Sequence, residues 1–177
     1  MATLFFASVI LFLSGAFFAL VFSGTARFSR LAGYGFALAG SSAGLIFALD
    51  ALLTGTRTMV SFLTLFSYPL FSFSIDALAA FFILVICGIG IAVSLFSFSY
   101  AKHYEKRYST GLLGALYNLF LCSMLLVVAA SNVIAFLVFW ELMSLLSYFL
   151  VTYEHRKESA RKAGLLYAVM THAGTLF

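Results

Sequence analysis

The chain has 177 residues, 64% of them hydrophobic, 18% aromatic and only 9% charged, with a mean hydropathy of +1.12. Soluble domains are about half apolar and about a quarter charged. Ten Lys/Arg and six Asp/Glu cannot make a water-facing surface for this chain, which excludes a soluble enzyme, a nucleic-acid binder and a disordered linker. The solvent this composition calls for is a lipid bilayer.

A hydrocarbon slab about 30 Å thick takes about 20 mostly apolar helical residues. Runs of that kind lie at Leu4–Phe22, Tyr34–Leu53, Ala77–Tyr100, Leu112–Ala130 and Val133–Thr152, and a sixth begins near Ala160 and is still apolar at Phe177. The expectation is an all-α polytopic membrane protein of about six spans, truncated with respect to a longer parent. The first run is no signal peptide, because Met1-Ala2-Thr3 has no basic side chain and Arg27 and Arg30 follow the run.

The formal charge of +4 is carried in short clusters between the runs. Arg27 and Arg30, then Lys102, Lys106 and Arg107, then Arg156, Lys157, Arg161 and Lys162 follow spans one, three and five, and the other side has only Arg57. The positive-inside rule makes the first side cytoplasmic and puts the N-terminus outside. Between spans two and three, Leu70-Phe71-Ser72-Phe73-Ser74-Ile75 alternates apolar residues with serine, the period of a half-buried strand. Pro69 separates it from the apolar run at Val60–Phe66, so a short β-hairpin is expected in this outer loop. Asp76 stands where an N-cap of the third span belongs, and Asp50 reads as an interface charge facing Arg57.

Small and polar residues inside the spans mark helix contacts. Gly40-Ser41-Ser42-Ala43-Gly44 lets helices approach closely, and Gly88-Ile89-Gly90 lacks the setting of a nucleotide loop and reads as packing. Asn118 in span four is either a bundle hydrogen bond or a water-binding position. Cys87 and Cys122 lie in apolar runs without metal-ligand spacing and read as buried thiols. His103 and His155 fall in loops, leaving His172 alone within the membrane, so paired axial haem ligands are not expected. No cofactor, metal cluster or catalytic nucleophile is expected in this chain.

Glu141 is the residue that demands an explanation. It follows Val133 by eight positions, which at 1.5 Å per residue puts it about 12 Å from the end of span five, near mid-membrane. A carboxylate there costs at least a few kcal/mol, so it is either protonated or stabilised by a cation or a hydrated cavity. Ser144, Tyr148 and Thr152 continue its face of the helix, with Ser147 at the edge. His172 lies as far beyond the hairpin midpoint, between Arg156 and Lys157, as Glu141 lies before it. Two antiparallel helices in register would bring them to one depth. A carboxylate and an imidazole side by side are what a proton relay needs, each able to hold the proton while the other is charged. The competing reading is structural: interhelical hydrogen bonds, with His172 bonded to a serine or a carbonyl.

The segments Tyr117-Asn118-Leu119-Phe120-Leu121-Cys122-Ser123-Met124, Ala130-Ser131-Asn132 and Phe139-Trp140-Glu141-Leu142-Met143-Ser144 resemble the proton-antiporter-like subunits of respiratory complex I and its relatives. Within that superfamily, Tyr167-Ala168-Val169-Met170-Thr171-His172-Ala173-Gly174 is similar to the membrane subunits of hydrogenase 4 (component B) and formate hydrogenlyase (subunit 3). The resemblance is specific from Leu112 to Phe177 and looser upstream. It implies that residues 1–111 are N-terminal spans with their outer hairpin, and that 112–177 begin the ion-translocating module. It also implies that Glu141 is the family's essential glutamate; the mechanism expected with it is proton transfer through a hydrated path, with His172 tuning Glu141 and Ser144, Tyr148 and Asn118 holding water. In the family a lysine on a broken seventh helix faces the glutamate, and no position of this sequence corresponds to it. The implied setting is the plasma membrane, with other membrane subunits and a cytoplasmic redox arm as partners. The alternatives are a non-transporting scaffold and a component of a multi-subunit cation/proton antiporter.

Overall fold

The structure, a computed structural model, describes residues 2–55, 57–65, 68–104 and 108–176; Lys106 and Arg107 of the basic clusters lie outside these. Among the described residues six helices run in chain order: α1 (Ala2–Val21), α2 (Ala26–Thr54), α3 (Ala77–Tyr100), α4 (Thr110–Ala129), α5 (Val133–Val151) and α6 (Glu158–Leu176). A hairpin of β1 (Thr58–Leu65) and β2 (Tyr68–Ile75) precedes α3, and a 3-10 turn at Ala101–Tyr104 follows it. Helices α1 to α5 are long and apolar enough to cross a membrane. Glu158, Arg161 and Lys162 occupy the first turns of α6, so its apolar stretch starts only after them.

Helix α2 packs against α1, α3 and α4; α1 also meets α4, α4 meets α5, and α5 carries α6. The inside of this bundle is made of small and polar residues as much as of large ones. Ser8, Ser29, Ser41, Ser94 and Asn118 are fully buried beside Phe5, Phe12, Phe47 and Ile83, while Phe17, Phe28, Phe81 and Phe96 face outward. That is the expected inversion where lipid is as apolar as leucine and close backbone approach drives helix association. A Cβ on Gly44 would stand 2.5 Å from Cys87 Sγ, and one on Gly40 would stand 2.9 Å from the Phe12 ring. Ser8 Oγ donates to the Gly40 carbonyl at 2.8 Å. The small-residue motif in α2 thus lets α1 and α3 pack closely against it.

Two boundaries differ from the sequence reading. Helix α2 begins at Ala26, well ahead of the apolar run, because Arg27 and Arg30 continue the helix beyond the slab. Arg30 Nη1 donates to the Phe98 carbonyl at 3.1 Å, in the last turn of α3, where a cation suits the negative end of a helix. Pro69 lies inside β2, opposite Thr64, near the start of a strand in a two-stranded sheet that has open edges to accommodate a missing N–H. Asp50 forms no ion pair with Arg57 among the described residues. The chain leaves α2 through a left-handed Gly55 (φ 64°), and Arg57 beyond it is exposed.

Asp76 caps α3 as its position suggests, Oδ1 accepting from Ala79 N at 2.9 Å. Asn132 caps α5 in the same way, accepting from Ala135 N at 2.7 Å. Asp76→Ala is expected to cost about 1 kcal/mol, seen as an earlier unfolding midpoint of the full chain in mixed detergent micelles, with Asp76→Asn retaining most of the stability.

Candidate proton-transfer site

The short α4–α5 connection sets where Glu141 sits. Ser131 N donates to the Ser72 carbonyl at 2.9 Å, its hydroxyl meets Ser72 Oγ at 2.9 Å, and Phe73 bridges to Ala130. The rings of Phe71 and Phe73 stand 5.7 and 5.8 Å from that of Phe139. Strand β2 therefore braces α5 at Phe139, two residues before Glu141. With Asn132 capping the helix, the height and rotation of the glutamate are fixed from this end.

From the other end, α6 returns antiparallel and meets α5 at three levels. Glu141 Oε2 lies 3.3 Å from His172 Nε2, and Trp140 Nε1 donates to Thr175 Oγ1 at 3.2 Å. Gly164 is buried against Tyr148 and Thr152, where a Cβ would collide. The Glu141–His172 pair is symmetric about the turn between Arg156 and Lys157, so the equal spacing in sequence becomes an actual pair in space. The Trp140–Thr175 bond is absent from the sequence reading; equal counting from the turn puts Ala173 opposite Trp140.

The second imidazole nitrogen decides the chemistry of the pair. His172 Nδ1 lies 2.9 Å from the Ala168 carbonyl. A carbonyl can only accept, so Nδ1 carries a hydrogen and Nε2 faces the carboxyl either as a lone pair or as the second N–H of an imidazolium. Two lone pairs turned on each other would repel, so the 3.3 Å contact is a hydrogen bond when the acid or the ring supplies a proton to it. With one proton the pair is net neutral in both arrangements, which is what a low-dielectric slab favours.

The side chains of Glu141 and His172 are 42% and 57% exposed, on a flank of the α5–α6 hairpin that also shows Ile134, Leu137, Val138 and Leu145. Ser144, three residues on, is buried, and its hydroxyl has no hydrogen-bond partner among the described residues. Tyr148 is half-buried one turn further. Asn118 is not brought to this group. It is fully buried on the α1–α2 side of α4, where Nδ2 donates to the carbonyls of Gly33 at 2.7 Å and Gly114 at 2.8 Å. Its Oδ1 is left without a partner among the described residues. No group of three or more His, Cys, Asp or Glu residues that could hold a metal ion occurs among the described residues.

Known proteins place the same segments. Residues 69–110 match the family model of the NADH-ubiquinone oxidoreductase (complex I) chain 5 N-terminus. Residues 130–177, which hold both Glu141 and His172, match that of the NADH:quinone oxidoreductase/Mrp antiporter transmembrane region. Hydrogenase-4 component B of Escherichia coli (strain K12) is 32% identical over 170 residues, 96% of this chain and 25% of that protein. NADH-quinone oxidoreductase subunit L of Mycobacterium tuberculosis is 38% identical over 105 residues, 59% of this chain and 16% of its own length. A probable K(+)/H(+) antiporter component of Rhizobium meliloti is 35% identical over 107 residues, 60% of this chain and 10% of its own. The chain thus spans a quarter or less of each of these relatives. Five apolar helices and both matching segments make it a multi-pass membrane protein, and it belongs to the family of antiporter-like membrane subunits shared by complex I and the Mrp antiporters.

Proposed function

We propose that this chain is part of a proton-translocating membrane subunit of a hydrogenase- or NADH-dehydrogenase-like complex in the plasma membrane, coupling electron transfer in a partner arm to ion movement through Glu141. The observation that carries this reading is the Glu141–His172 contact at 3.3 Å with Nδ1 engaged by the Ala168 carbonyl. Glu141 is the switchable acceptor, and His172 the neighbour that sets which of the two holds the proton. Ser144 Oγ, buried without a partner among the described residues, and Tyr148 follow along α5 and offer sites for water. Asn118 Oδ1 offers another, on the far side of α4. Further helices of the parent protein or of its complex cover the outward face of α5 and close the hydrated path. The end of the bundle rich in Lys and Arg faces the cytoplasm, and the hairpin end faces out.

Proton movement fits the pair better than sodium does. Hard cations take several oxygen ligands, whereas this contact offers one carboxylate and one ring nitrogen, a site built to hold hydrogen. The match to a cation/proton antiporter component supports a second reading, exchange of a cation for protons without a redox partner. A third is a scaffold that anchors a redox arm through its basic loops. Glu141→Gln in the full-length protein, assembled in its complex, separates them. Loss of donor-driven proton movement supports the first reading, loss of cation-dependent exchange with no donor supports the second, and loss of assembly alone supports the third. Under the first reading, His172→Gln leaves assembly intact and changes the pH dependence of proton movement, measured with a pH-sensitive dye in vesicles; an unaltered profile would remove His172 from the relay.

A further inference from the structure

At the Lys/Arg-rich end, a notch of about 540 Å³ opens between the start of α4 and the end of α5. Its floor is apolar: Leu112, Leu116 and Phe149 line it, with Leu112 and Phe149 exposed. Its rim is different in kind. The Tyr108 and Tyr153 rings meet tilted at 5.3 Å, His155 meets the Tyr108 ring edge-on at 5.4 Å, and the Arg156 guanidinium sits 5.8 Å over the same ring. Tyr153 donates to the Ser109 carbonyl at 2.9 Å, and burial pushes its phenol up to about 12, so it stays a donor. His155 Nδ1 faces the Tyr153 carbonyl at 3.2 Å, which leaves Nε2 for another partner. The nearby acids are engaged: Glu154 pairs with Lys157 at 2.6 Å and Glu158 with Lys162 at 2.9 Å.

A greasy trough along the membrane-facing side of two spans, ending in an aromatic and cationic rim at the level where spans stop, has the profile of an amphiphile with a negative head. The geometry points to this notch as a binding site for one anionic phospholipid, its acyl chain along Leu112, Leu116 and Phe149 and its phosphate between His155 and Arg156. Aromatic side chains suit the headgroup level, and basic pockets between spans at this level hold phosphate-bearing headgroups. A protein helix is a poorer occupant, since the floor is apolar only from Leu112 inward and the rim would bury its cation against a neutral backbone.

The test titrates phosphatidylglycerol and phosphatidylcholine into the full chain in mild detergent and counts bound lipid by native mass spectrometry. Phosphatidylglycerol is expected to bind more tightly, and Arg156→Gln to weaken it about five-fold, the factor that about 1 kcal/mol per basic side chain near an anionic surface represents. Leu116→Trp, which fills the trough, lowers retention of both lipids, while Arg161→Gln, outside the notch, changes neither. Equal affinity for the two lipids, an equal loss in Arg156→Gln and Arg161→Gln, or displacement of the lipid by glycerol 3-phosphate would each overturn the site. So would a parent complex in which a neighbouring protein helix occupies the notch.

Discussion

Glu141→Gln, placed in the full-length protein within its assembled complex, is expected to reduce ion movement to the background of the vesicles while assembly and electron transfer persist. The substitution is close to isosteric. A glutamine amide can still donate to His172 Nε2 from the position that Oε2 occupies at 3.3 Å, and the Trp140–Thr175 bond continues to hold α5 against α6. What disappears is the one property the proposal requires, a group that can release its proton and take another. Glu141→Asp keeps that property but withdraws the carboxyl by a methylene, so partial activity is expected. The readout is dye-reported acidification of inverted vesicles, driven by the electron donor and normalised to the amount of assembled complex. A gradient of undiminished size in the Gln variant would end the proposal.

The largest effect on folding is expected at Gly111, in the first turn of α4. A Cβ there would fall 2.5 Å from the Ala19 carbonyl oxygen, 2.8 Å from Ser23 Cβ and 2.9 Å from Ser29 Oγ. The obstruction is backbone, and Ser29 holds it in place by donating to the same carbonyl at 3.1 Å, so no side-chain rotation relieves the clash. Gly111→Ala must push α4 away from the α1–α2 corner, at a cost of about 1–3 kcal/mol or more, a large share of a typical stability of about 5–15 kcal/mol. Gly35 and Gly88 are the controls, since a Cβ at either meets nothing within 4 Å. There alanine is expected to be neutral or mildly stabilising through helix propensity. Unfolding midpoints of the three variants in mixed micelles give the comparison, and equal midpoints for Gly111→Ala and Gly88→Ala would contradict the packing argument.

The spans, the hairpin and the Asp76 cap are legible in the sequence because each depends on local pattern: apolar length, period-two alternation, an acid before an apolar run. The Glu141–His172 contact is legible for a rarer reason. A tight turn fixes the register of two antiparallel helices, so counting outward from it is a distance measurement. Gly111 shows where such reading stops. It stands among many glycines, and only the meeting of α1, α2 and α4 makes its missing Cβ matter. Asn118 is readable as a polar residue needing a partner, but nothing in the sequence says that the carbonyls of Gly33 and Gly114 are the partners. The role of the Ala168 carbonyl is invisible for the same reason: main-chain acceptors leave no mark in a sequence.

That carbonyl has an electrical consequence. With Nδ1 committed, a hop between the acid and the ring, as the proposed function has it, would redistribute charge inside the couple without altering its total. Under the proposed function, arrival of a second hydrogen ion or departure of the last one leaves the couple with a net charge, whose field reaches further than that of the neutral couple. On that proposal, traffic within the couple is quiet and loading and emptying are loud, so a neighbouring helix that answers net charge would respond to those two events alone.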